Sequence, residues 1–77
     1  MNKYIATFHS HFGALSYCQA LKKQGLLAKL MPVPRKVSSS CGTCVYYEHT
    51  SAIDLDGYEL DRIYIEINDV LDCVLRK

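Results

Sequence analysis

The sequence predicts an α/β fold: an α+β sandwich with a small ferredoxin-like or carrier-like sheet of about four strands, starting β-α-β, with one or two helices on one face. An apolar segment, an amphipathic segment and a second apolar segment follow one another within about 30 residues, the length of a β-α-β unit. Later segments alternate apolar and polar residues, as half-buried strands do. Between these two patterns lies a proline-bounded, serine-rich stretch that contains two cysteines.

The 77 residues are interpreted as a single domain, residues 1-77. One hydrophobic core of this size barely offsets the entropy of folding, so a partner subunit, as in a homodimer, or a ligand would add stability. Nine Lys and Arg against eight Asp and Glu give a formal net charge of +1. This balance predicts no binding to nucleic acid or to an anionic membrane.

The distribution of apolar residues predicts a soluble, cytoplasmic protein. No apolar run approaches the ~20 residues that a membrane span requires, and polar residues 9–11 interrupt the N-terminal segment too early for a signal peptide. Disulfides are rare in the cytoplasm, where cysteines are more often redox-active, metal-bound or buried.

The first two elements are predicted from apolar periodicity and capping signals. Residues 3–8 are β-branched and aromatic and predict a buried strand. Ser10 is a suitable N-cap for a helix over residues 11–24, and Gly25 can adopt the left-handed conformation that ends it. The apolar face of this helix repeats at three- and four-residue spacing. It consists of Ala14, Leu15, Cys18 and Leu21, widened by Phe12, Tyr17 and Ala20.

A second strand over residues 26–31 completes a right-handed crossover, with the first two strands parallel. Pro32 and Pro34 end this strand because proline cannot donate to a ladder. Residues 43–49 predict the third strand.

The remaining elements are a hairpin and a strand. Asp56-Gly57 lies between alternating apolar residues of the segment 52–60, which is a strong hairpin signal. Residues 62–67 alternate cleanly and predict a half-buried strand.

The C-terminal residues predict a short final helix, capped by Asn68 or Asp69, whose apolar side consists of Val70, Leu71, Val74 and Leu75. An alternative remains, because the apolar spacing also fits one helix over residues 58–77. The density of β-branched residues argues against that alternative.

The loop over residues 32–44 is long for so short a chain, and such loops are uncommon unless they have a function. If the first two strands are parallel, their C-terminal ends share one edge, and residues 9–11 lie beside this loop. Open sheets bind ligands at this edge, where a helix N-terminus adds unpaired N–H donors. A thiol there would be stabilised as the reactive thiolate by the helix dipole, a protonated histidine and Arg35. Cys41 is the predicted thiol.

The candidate catalytic residues are Cys41 and Cys44. The serine hydroxyls and backbone amides of the loop can receive an anion, and Gly42 lets the backbone approach it closely. The candidate anion or substrate-binding residues are Arg35, Ser38, Ser39, Ser40, Gly42, His9, Ser10 and His11. A purely structural alternative is that glycine and serine only make the loop flexible.

Three uses remain open for the pair Cys41-Gly42-Thr43-Cys44. The two thiols can form a reversible disulfide. They can supply half of a zinc or iron site completed by His9, His11, His49, Cys18 or Cys73, although no second pair stands at zinc-finger spacing. In the third use Cys44 only packs in its strand. Cys18 is interpreted as a small core residue.

Several segments resemble one family. Residues 4–10, the helix end at residues 21–25, Pro32-Val33-Pro34-Arg35 and Ser38-Ser39-Ser40-Cys41-Gly42 are similar to the small bacterial selenium/sulfur carrier-like domain. The resemblance covers residues 3–45, and the P-x-P-R and S-S-C-G motifs are its most specific part. It implies that Cys41 is the carrier thiol.

The chain departs from the family pattern in two places. Cys44 adds a second thiol where an apolar residue is more usual, and it could release carried sulfur by closing a disulfide. The C-terminal third predicts a hairpin and short helix where a helix followed by a strand is usual.

The leading hypothesis is therefore a cytoplasmic thiol carrier or binding module that holds sulfur or selenium on Cys41 as a persulfide or selenosulfide. It would exchange that atom with donor and acceptor proteins, without turnover of its own as an enzyme and without a cofactor. Arg35, Ser40 and His9 would stabilise the anion, and Cys44 would resolve or protect it. The alternatives are a metal-binding or thiol-disulfide redox module that uses both cysteines, and a protein-interaction domain that recruits a partner at a sheet edge.

Overall fold

The computed structural model describes residues 1–37 and 41–77, and within these ranges it has one helix and five strands. In chain order the elements are β1 (Asn2–Phe8), α1 (His11–Lys23), β2 (Ala28–Pro32), β3 (Thr43–His49), β4 (Leu60–Ile67) and β5 (Val70–Arg76). The strands form one antiparallel sheet in the order β2-β3-β1-β4-β5. The α+β class is thus as predicted, whereas the sheet has more than the predicted four strands.

Helix α1 begins and ends where local chemistry predicts. The hydroxyl of the N-cap Ser10 accepts a hydrogen bond from the N–H of Gly13 at 3.0 Å, which satisfies one of the unpaired first-turn donors. Gly25 follows the helix with a φ of 80°, a left-handed conformation that costs glycine little. The buried face of α1 packs against one face of the sheet and consists of Gly13, Ala14, Tyr17, Cys18 and Leu21.

The prediction for the first two strands is correct in their relative direction, but wrong in pairing them with each other. β1 and β2 point the same way, because each pairs antiparallel with β3. β3 lies between them in the sheet, so the unit is a split β-α-β rather than two adjacent parallel strands. β2 ends on Pro32, which a sheet tolerates at an edge strand because the missing N–H leaves no ladder bond unmade.

The connection between β3 and β4 covers the rest of the core on the helix side. The Tyr17 hydroxyl donates to the Ile53 carbonyl at 2.7 Å, and the Tyr58 ring packs edge-on against the Tyr17 ring. Gly13 permits this approach, since a Cβ there would overlap the Tyr58 carbonyl oxygen. This connection therefore fixes the first turn of α1 as well as the core beneath it.

Only half of the hairpin prediction in this connection is confirmed. A turn forms at Asp56-Gly57, where Gly57 has a φ of 87°. Residues 52–55 do not form a strand, so no hairpin surrounds the turn. Partly buried Ile53 and Leu55 instead pack against the helix-side core.

Both predictions of a C-terminal helix are wrong. Val70–Arg76 is strand β5, paired antiparallel with β4. Asn68 and Asp69 are not helix caps: their φ values of 52° and 65° form the two-residue turn of a hairpin, a conformation that Asn and Asp tolerate better than other residues with a Cβ.

Residues that follow β2 lie on the sheet face opposite α1 up to Val37. We call residues 33–37 the strap. Lys36 Nζ donates to the Asp69 carbonyl at 2.6 Å, and the Val37 side chain is buried. Ile5 and Met31 of this second face line a cavity together with the strap, and Cys44 and Thr7 on the same face are fully buried. Within the described ranges no helix has the length and apolarity that a membrane crossing requires.

Candidate functional site

The structure joins the start of α1 to the start of β3 at one end of the sheet. The C-terminal ends of β1 and β2 and the N-terminal end of β3 meet here. The His11 Nδ1 atom lies 3.1 Å from the Thr43 hydroxyl oxygen. The predicted approach of the helix N-terminus to the cysteine loop is therefore observed for His11.

Cys41 lies two residues before this contact and is partly exposed. Its thiol donates to the Thr43 carbonyl oxygen at 3.2 Å, and its side chain packs against the helix-side core. Gly42 takes a φ of 73°, and its carbonyl accepts from the Val33 N–H at 3.1 Å, which ties the two ends of the loop together. The thiol is thus held by its neighbours while part of the residue stays accessible to solvent.

His9 and Ser10 face away from the cysteine loop. The His9 N–H donates to the Glu59 carbonyl at 3.0 Å, and its Nε2 lies 3.7 Å from an Asp61 carboxylate oxygen. The Ser10 hydroxyl donates to the Glu59 carboxylate at 2.7 Å while it caps α1. These contacts belong to the segment around the start of β4, so the structure does not bring His9 and Ser10 to Cys41.

Arg35 is separated from this end of α1. Arg35 belongs to the strap and lines a cavity on the opposite face of the sheet, with Ile5 and Met31. The predictions for Ser38, Ser39 and Ser40 lie outside the described residues. Of the predicted set, Gly42 and His11 are the described residues that share the end of the sheet with Cys41.

Cys44 differs from Cys41 in both position and chemistry. It is fully buried, and its cross-strand partners Thr7 and Met31 belong to the face opposite α1. Its thiol approaches the Pro32 carbonyl oxygen at 3.7 Å. Burial, and secondarily the charge of a Cys41 thiolate, raises the pKa of the Cys44 thiol to about 11. A thiol with this pKa is almost wholly protonated at neutral pH, which favours a packing role over a nucleophilic one.

The other two cysteines lie elsewhere, and none of the four is in a disulfide. Cys18 is buried on α1 as predicted, and burial raises its pKa while Lys22 partly offsets that effect. Cys73 is exposed on β5 and donates to the Leu75 carbonyl. Among the described residues no group of three or more His, Cys, Asp or Glu side chains is arranged to hold a metal ion, so the metal alternative has no support there.

Two residues important to this geometry were not singled out from the sequence. Thr43 contacts both His11 and Cys41, and the signal available for it was its position two residues after the cysteine. Glu59 binds Ser10 and His9, but only the long-range pairing of β1 with β4 brings it there, and nothing local indicates that pairing.

Fold and site together define a small α+β protein with a partly exposed cysteine on a loop that is linked to the first turn of its helix. The chain belongs to the family described as "Putative Se/S carrier protein-like", whose model matches residues 3–67. The match extends beyond the motif region to the end of β4. Searches of curated proteins and of solved structures find no significant match.

Proposed function

We propose that this protein carries a sulfur or selenium atom on Cys41, as a persulfide or selenosulfide, between a donor protein and an acceptor protein. The observation that carries the proposal is the chain of contacts from the Cys41 thiol through Thr43 to His11, at the first turn of α1. Membership of the family supports the same chemistry in general terms.

The transfer consists of two thiol–persulfide exchanges, and neither involves a net oxidation or reduction. The Cys41 thiolate attacks the outer sulfur of a donor persulfide, an S–S bond to Cys41 forms, and the donor leaves as a thiolate. An acceptor thiolate then attacks the outer sulfur of the Cys41 persulfide. The acceptor takes that sulfur, and Cys41 leaves as a thiolate. Electrons balance in each step, so no external oxidant, reductant or cofactor is required, and the protein acts as a carrier rather than an enzyme.

The surroundings of Cys41 suit an anionic cargo. First-turn N–H groups of a helix lack intrahelical partners and, with the helix dipole, favour negative charge nearby. His11 adds a second polar group on the same side through its contact with Thr43. We propose that these groups, rather than Arg35 and His9, stabilise the terminal sulfur.

The burial of Cys44 bears on how the sulfur leaves. Release through a Cys41–Cys44 disulfide requires a Cys44 thiolate, which the raised pKa of about 11 makes scarce at neutral pH. Direct delivery to an acceptor thiol avoids this requirement. We therefore favour direct delivery over the redox alternative.

Both partners must reach a thiol that is only partly exposed. Phe12 follows His11 in the first turn of α1 and is 73% exposed, and we propose it as an apolar contact for a docking protein. The reducing cytoplasm, our proposed location, would keep such a thiol available.

Intact-mass spectrometry after incubation with a cysteine desulfurase and cysteine tests the proposal. The wild-type chain should gain the mass of one sulfur atom, and Cys41→Ser should not. Cys73→Ser is the matched control, because it removes an exposed thiol away from the site and should gain sulfur as the wild type does. The proposal fails if the wild type gains no sulfur or if Cys41→Ser gains it fully.

A further inference from the structure

A cavity of about 340 Å³ lies between the strap and the sheet face opposite α1. Its floor is apolar and comes from three strands, with Ile5 on β1, Met31 on β2 and Leu71 on β5. Its roof includes Pro34 and Arg35 of the strap. Known ligand pockets are about 300–1,000 Å³ and mostly apolar with few polar groups, so this cavity is suited to a ligand of small size.

Two cationic and two anionic side chains line the cavity: Arg35, Lys36, Glu66 and Asp69. The Lys36 ammonium donates to the Asp69 backbone carbonyl, which fixes the roof to the β4–β5 turn. Within the described part of the chain, neither Arg35 nor Glu66 takes part in an ion pair, and Lys3 is the cross-strand neighbour of Glu66.

We propose that this cavity binds a small α-amino acid with an aliphatic side chain. Its carboxylate would bind the Arg35 guanidinium, which matches carboxylates geometrically. Its ammonium would bind the Glu66 carboxylate, and its side chain would cover Ile5 and Leu71. A ligand with one charge would leave the other protein charge without a partner, which is costly once water is displaced.

This site is distinct from the carrier thiol. The cavity opens on the face opposite α1, whereas the Cys41 side chain packs against the helix-side core. Amino-acid binding requires no reaction at Cys41. The binding test can therefore fail while the carrier function holds. The carrier function can equally fail while the cavity binds an amino acid.

The test is a titration of the isotope-labelled full chain with L-leucine, followed by the amide signals of Ile5, Met31 and Leu71 in NMR spectra. Two analogues are titrated in parallel: isopentylamine, which lacks the carboxylate, and 4-methylpentanoate, which lacks the ammonium. Arg35→Gln and Glu66→Gln each remove one charge at an exposed or half-buried position, so both variants should fold.

L-leucine should shift these signals saturably at millimolar concentrations, and each analogue and each variant should weaken binding about tenfold or more. Lys29→Gln, which removes an exposed cation elsewhere on the sheet surface, should bind as the wild type does. The proposal is overturned if leucine shifts none of these signals. It is equally overturned if 4-methylpentanoate binds as well as leucine and Glu66→Gln has no effect.

Discussion

Cys44 should be a slow thiol in the folded protein, and its rate of alkylation by iodoacetamide follows from its burial. The pKa of about 11 lies two units above the reference value of 9.0, which lowers the thiolate fraction near neutral pH about 100-fold. Thiolate nucleophilicity rises with pKa, with a Brønsted slope of about 0.4–0.5, which restores roughly 6- to 10-fold. The net chemical slowing is therefore roughly 10- to 15-fold, and the complete burial of the side chain slows access further.

Peptide mapping by mass spectrometry measures this rate for each cysteine. Trypsin cleaves after Lys36 and Arg62, and fragment ions of the resulting peptide separate Cys41 from Cys44. The reference is Cys44 in the same protein unfolded in urea, where it should react at least about 10-fold faster than in the folded state.

Cys18 reports on unfolding, because it is buried on the other side of the sheet. A native Cys44 that reacts within a few-fold of its rate in urea, while Cys18 stays protected, would refute the reasoning. That result would favour the disulfide use of the C-x-x-C pair over direct delivery.

Two further predictions concern stability, measured by urea unfolding. Gly13→Ala should lower the unfolding free energy by about 2 kcal/mol, because overlap with the backbone carbonyl of Tyr58 costs about 3 kcal/mol, the upper end of the usual range, and alanine regains only about 1 kcal/mol of helix propensity. Gln19→Ala, at an exposed position of the same helix, should change the unfolding free energy little. An unchanged unfolding free energy in Gly13→Ala would contradict the close approach of the Tyr58 carbonyl to the helix. The second prediction is that the unfolding free energy decreases at alkaline pH. The raised pKa means that the unfolded state releases the Cys44 proton first, so stability is full below about pH 9 and falls by about 2 kcal/mol towards pH 11. Cys44→Ala should lack this part of the loss, and equal losses in both proteins would contradict the burial of the thiol.

Local signals in the sequence predict much of the first half of the fold. The caps of α1 are confirmed because Ser10 and Gly25 act on their own neighbours. The direction of β1 and β2 is confirmed because a crossover helix imposes it. Their separation by β3 depends on long-range strand pairing, which no local sequence pattern indicates.

The C-terminal error has a specific physical origin. Asn68 and Asp69 suit both an N-cap and a left-handed hairpin turn, so the same two residues support a helix or a strand after them. Pairing with β4 decides between these structures, and it favours β5.

The site is likewise predictable only in part. The approach of His11 to the loop follows from strand direction. The diversion of His9 and Ser10 towards Glu59 depends on the β1–β4 pairing. The burial of Cys44 depends on how the second face of the sheet is packed, which the residues next to Cys44 in the sequence do not specify.

Location of the transferred sulfur on individual peptides tests the central claim most directly. After incubation with a cysteine desulfurase and cysteine, the chain is alkylated and digested with trypsin, which places Cys41 and Cys73 on different peptides. The account predicts the extra sulfur on the fragment that contains Cys41. Extra sulfur on Cys73 alone, or on no cysteine, would contradict it.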